Sequence, residues 1–226
     1  MSPKTIARLC TDLAMTVILL LLMTYELIGQ AAHEWLGIAV FALFILHHIL
    51  NGGFYKSIFK GKYPPVRIFQ MILFAGAMLA MLGSTVSGVI ISRHALSFLP
   101  ISGGRAFGRT LHMISAYWGF IIMSLHLGFH WIVMLNLAGK HIGKPPVKWT
   151  LRVIGTAIAG YGVYAFIKRE LAQYLFLKTQ FVFFDFEEPL IFFIADYLAI
   201  MGLFIFAGHY ISLLLRRFGK KKKDES

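Results

Sequence analysis

LHMISAYWGFIIMSLH, residues 111–126, is apolar enough to lie inside a membrane, yet it carries His112 and His126, fourteen positions apart. Imidazole is costly in hydrocarbon unless something binds it, pairs with it or wets it. A second apolar stretch repeats the spacing, since His33 and His47 are also fourteen apart. In an α-helix fourteen residues rise about 21 Å and return to nearly the same face, about 40° short. Supercoiling toward 3.5 residues per turn removes most of that offset. Each stretch therefore offers two imidazoles on one face at two depths.

The composition says where these helices sit. Of 226 residues, 58% are hydrophobic and only 14% charged, with a mean hydropathy of +0.72. That is too little charge to cover a soluble domain, so an all-α integral membrane protein is expected, a single membrane domain over residues 1–226. Six segments reach the about 20 residues a span needs: roughly 6–28, 33–54, 67–91, 109–137, 149–169 and 189–215. Pro64-Pro65 and Pro145-Pro146 break the chain between spans. Lys4 and Arg8 ahead of the first apolar run resemble a signal peptide, but the run is long and lacks a small-residue cleavage site, so it reads as a retained helix. Segment 170–188, ELAQYLFLKTQFVFFDFEE, is too polar to span and reads as an outer interfacial helix or loop, with Asp185, Glu187 and Glu188 as a solvated rim. The single cysteine, Cys10, excludes internal disulfides, cysteine-ligated iron–sulfur clusters and c-type haem attachment.

The net charge of +12 matters through its distribution. With six spans, most of the 22 basic residues fall on one side: at the N-terminus, in the 2–3 and 4–5 loops, and in the C-terminal tail that ends on Lys220 to Lys223. By the positive-inside rule both termini are cytoplasmic. The tail reads as a contact with the bilayer surface, and nucleic acid is not an expected partner.

Spans two and four both run inward, so their histidines match in depth: His33 with His112 near the outer face, His47 with His126 deeper. Two parallel helices offering one imidazole each at two levels is the arrangement that holds two stacked haem b groups by bis-histidine ligation, in a six-helix protein with a central haem-binding four-helix bundle. A lone intramembrane histidine is more often a helix–helix hydrogen bond or a proton-path residue; four at matched spacing are harder to explain that way. Gly119, midway between His112 and His126, offers clearance for a macrocycle. Arg93, Arg105 and Arg109 are candidate propionate partners at the outer level, with Lys56 and Arg67 at the inner one. His48 adjoins His47, and His130 lies one turn below His126, so each is an alternative inner ligand. With Asn51, they otherwise line the inner pocket or a quinone or proton path. His94, His141 and His209 have no spacing partner.

HEWLG at 33–37, LHHILN at 46–51, SGVIISRH at 87–94, LHMISAYWGF at 111–120 and SLHLGFHW at 124–131 resemble the bacterial flavinylation-associated cytochrome family, over about residues 5–215. The spacing of the histidines is also similar to that in respiratory cytochromes b. The resemblance implies a multihaem b-type protein of the bacterial cytoplasmic membrane that passes electrons toward extracytosolic proteins bearing covalent flavin. A membrane quinol or a cytosolic-side donor supplies the electrons, and other redox subunits are expected partners beside the lipid bilayer. No Gly-rich nucleotide loop is evident, so NAD(P)H oxidation would need a partner. The rival expectations are a cytochrome b anchor subunit of a quinone-linked dehydrogenase or reductase, a haem-free channel or transporter using the histidines and Asp196 as a relay, and a plain structural anchor.

Overall fold

The computed structural model describes residues 2–137, 139, 145–179 and 181–224. Among these the structure is helical, and six helices are long and apolar enough to cross a membrane. The first, α1 (Pro3–Leu22), starts where the Ser2 hydroxyl accepts from the Thr5 amide and Pro3 presets the first turn. It ends at Leu22, and just beyond it the Thr24 hydroxyl donates to the Leu21 carbonyl at 2.6 Å. The short α2 (Tyr25–Ile28) follows, and Gly29 at φ +81° turns the chain into α3 (Gln30–Leu50). After α4 (Gly53–Ser57), Pro64-Pro65 opens α5 (Pro65–Ile91).

Helix α6 (Arg105–Phe129) stops at His130, and α7 (Trp131–Leu137) continues as a separate piece. The span expected over 109–137 is thus two helices, broken at one of the candidate ligands. Helix α8 (Pro145–Lys168) begins on the second proline pair. Among the described residues, segment 170–188 contains only α9 (Leu171–Leu175), whose Leu171, Tyr174 and Leu175 are buried, and Phe181, Phe183 and Phe186 after it are exposed. Helix α10 (Leu190–Asp224) closes the chain.

Small residues set the packing, as they do where no hydrophobic drive separates helix from lipid. Helix α6 lies between α5 and α10. A side chain on Gly83 would collide with Ser115, and one on Gly128 or Gly208 would strike the backbone carbonyl of Ile205 or Leu125. So α6 and α10 touch backbone to backbone. Around them Phe120, Leu171, Tyr197 and Ile200 form the main core.

Helices α1 and α3 pair separately, over Met15, Val40 and Phe44, with Met78 and Met81 of α5 against them. This hairpin leans on α5 and α10, but α3 does not pack along α6. The two histidine-bearing helices are linked chiefly through α5, which packs on both.

Candidate functional site

At the outer end the histidines of α3 and α6 meet. The rings of His33 and His112 have centroids 5.9 Å apart and planes inclined at 68°. Two imidazole nitrogens each about 2 Å from one metal place their ring centres about 6 Å apart. The pair thus already has the separation that a shared iron requires.

His112 is oriented by Ser87 of α5. The Ser87 hydroxyl donates to the Gly83 carbonyl at 2.6 Å, so toward the His112 Nδ1, 3.1 Å away, it is an acceptor. The proton then sits on Nδ1 and the lone pair of Nε2 is free, the tautomer a metal ligand needs. His33 is flanked edge-on by Tyr25 at 5.0 Å, and its buried Nδ1 has no hydrogen-bond partner. An orphaned buried nitrogen of this kind costs about 1–3 kcal/mol unless something occupies it.

Glu34, next in sequence, fixes this end of α3. Its carboxylate accepts from the Ser92 hydroxyl at 2.7 Å and from the amides of Arg93, His94 and Ala95 at 2.9, 2.9 and 2.8 Å. One side chain thereby pins α3 to the turn after α5 and sets the rotation of His33.

The inner level is a cluster. His47 Nδ1 lies 2.6 Å from the Asp12 carboxylate of α1, with Asn51 at 3.5 Å. The carboxylate accepts the Nδ1 proton, which again frees Nε2. His48 Nδ1 is bonded to the Tyr55 hydroxyl at 2.6 Å, and its ring is boxed by Phe44 and Phe74. On α6, the His126 ring meets His130 at a tilt of 55° with centroids 4.9 Å apart, and its buried Nδ1 is unpartnered. His126 lies within electrostatic range of His47, His48 and Asp12, and His130 within range of His47, Asp12 and Arg216. The inner histidines form two neighbouring pairs, His47 with His48 and His126 with His130, and only the outer histidines are in ring contact between helices.

Among the described residues no three His, Cys, Asp or Glu side chains converge as for a bare metal ion. A haem iron asks for less, because the macrocycle supplies four ligands and the protein two. The unpartnered buried nitrogens and the outer ring spacing fit such a group.

Several expectations change. Gly119 is buried, but a Cβ there would come within 3.2 Å of the Ala80 Cβ, so its missing side chain serves the approach of α5 to α6. Arg67 is committed to loop carbonyls of Ser57, Ile58, Lys60 and Lys62, which removes it as an inner propionate partner. Arg93 and Arg105 line one cleft at the outer end; Arg109 is exposed and does not. Glu188 is not part of a solvated rim, since Lys168 and Arg169 bind it at 3.2 and 2.7 Å. The same two cations, with the Tyr161 hydroxyl, hold Asp196 at 2.6–2.9 Å. Asp196 is 1% exposed and fully engaged, which suits a lock between α8 and α10 better than a relay.

His94 is exposed, and the buried His209 Nδ1 is unpartnered, on α10 beside Gly208, which meets the α6 backbone at Leu125. His141 lies outside the described residues. Sequence reasoning passes over Asp12, Glu34 and Ser87, although an acid inside an apolar span, as Asp12 is, always asks for a partner. No family model, curated protein or solved structure matches the chain.

Proposed function

We propose that the chain is a diheme b-type cytochrome that carries electrons across the cytoplasmic membrane of a bacterium. Electrons enter from a quinol or another cytosolic-side donor at the Lys/Arg-rich end and leave to an extracytosolic flavoprotein. The observation that carries this reading is the His33–His112 pair, meeting at 5.9 Å between helices that otherwise do not pack. Haem bound there supplies a one-electron iron couple.

The chain's own residues supply the rest. His33 and His112 hold the outer group, with Ser87 keeping the His112 Nε2 open. His47 and His126 hold the inner one, with Asp12 doing for His47 what Ser87 does for His112. His48, whose Nδ1 is bonded to Tyr55 and whose buried Nε2 has no partner, is the alternative inner ligand on α3. His130 stands one turn below His126 as the alternative ligand on α6, and Arg93 and Arg105, which share a cleft at the outer end, would pair with propionates. The two levels, about 21 Å apart by helix rise, span most of a hydrocarbon core roughly 30 Å thick.

The anchor-subunit reading keeps the same ligands and draws support from the inner cluster. Asp12, His47, His48, Tyr55 and His130 are protonatable groups gathered at one end, which suits the oxidation of a quinol. A test common to both readings is electron transfer through vesicles. With ferricyanide trapped inside and dithionite outside, the haem-loaded chain should bleach the ferricyanide and His112→Ala should not. Bleaching no faster than in empty vesicles overturns the proposal.

A further inference from the structure

The two levels differ in what stands behind the ligand. At the outer level, His112 Nδ1 meets a neutral serine hydroxyl at 3.1 Å. At the inner level, His47 Nδ1 meets a carboxylate at 2.6 Å, the length of a charge-assisted bond. A carboxylate behind a ligating imidazole raises the basicity of that ligand. It also favours the ferric iron, which carries one more positive charge than the ferrous.

We infer that Asp12 is a positioning and tuning residue that makes the His47 level the more reducing of the two, so that electrons run downhill from the Asp12 end to the Ser87 end. This inference rests on the diheme reading of the site. In the transfer, one electron leaves the iron at the His47 level and arrives at the iron at the His112 level. The first is oxidised and the second reduced, while the quinol or other cytosolic-side donor re-reduces the first. The protein makes and breaks no covalent bond in the step.

Other charges face the same end. Arg8 is bonded to the Leu50 carbonyl at 2.6 Å, and Arg216 lies over Phe129 at 5.8 Å within range of His130. Neither makes a hydrogen bond to His47. Asp12 is the charge in direct contact with a ligand ring, and because its side chain is 35% exposed, solvent screens part of its effect.

The test is a potentiometric titration of the purified, haem-loaded chain, followed by its visible spectrum. Two midpoints are expected. Asp12→Asn should raise the lower midpoint and leave the upper one in place, and Asp12→Glu should restore the lower value. Should Asp12→Asn lose a haem, single-level variants decide the order. The midpoint left in His112→Ala should match the lower wild-type value, and that left in His47→Ala the upper one. An unmoved or lowered midpoint in a fully loaded Asp12→Asn chain, or the reverse order in the single-level variants, overturns the inference. A wild-type chain that binds no haem instead overturns the diheme reading.

Discussion

The outer and inner histidine levels are built from the same two helices and the same fourteen-residue step, yet they are organised differently. The outer level is a pair: one ring from α3, one from α6, 5.9 Å apart, each with a fixed backing in Glu34's turn or Ser87. The inner level is a crowd in which His47, His48, His126 and His130 share space with Asp12, Tyr55 and Asn51. A pair defines one ligand set. A crowd offers several, and gains groups able to carry protons or meet a quinone.

The sharpest way to break the comparison is by haem count. His33→Ala or His112→Ala should each drop the chain from two haems to one, because the outer level has no substitute ring. Retention of both haems in either variant means the levels are not separate. At the inner level, His47→Ala and His126→Ala should lose a haem, while His48→Ala and His130→Ala should keep two. Loss in His48→Ala or His130→Ala would reassign the inner ligands and leave the outer level untouched.

Stability tests the scaffolding next. Glu34→Ala removes the acceptor for three backbone amides and a hydroxyl, and should cost about 2–3 kcal/mol, read as a lower midpoint of unfolding in detergent. Its haem defect should be confined to the outer level. A variant that melts like the wild type would show that water replaces the carboxylate without loss.

Gly119→Ala is the smallest expected effect. The new methyl group presses on Ala80 and should cost about 1 kcal/mol, with both haems retained. Loss of haem at unchanged stability would return Gly119 to the role of clearance for a macrocycle.

Much of the scaffold is legible in the sequence, for physical reasons visible at particular residues. Long apolar runs, Pro64-Pro65 and Pro145-Pro146 locate the six long helices, with starts within about four residues and the ends of α1, α6 and α10 missed by six to nine. The break at His130 is not legible, because the apolar pattern continues through it into α7. The meeting of His33 with His112 follows from spacing alone, since each helix carries a single histidine at that depth. Spacing cannot sort the inner level, where the pairs 47/48 and 126/130 lie within one turn of each other. Asp12, Glu34 and Ser87 depend on contacts 35, 58 and 25 residues away in the chain, which no local pattern encodes. Gly119 shows the opposite hazard: its position midway between two histidines is suggestive, but its neighbour is Ala80.

The central claim is that these histidines hold haem. The most direct measurement is a pyridine haemochrome assay on the chain purified from cells with ample haem, paired with oxidised and dithionite-reduced visible spectra. Two haem b per chain, with low-spin bis-histidine spectra, is the expected result. A colourless protein from the same cells would contradict it.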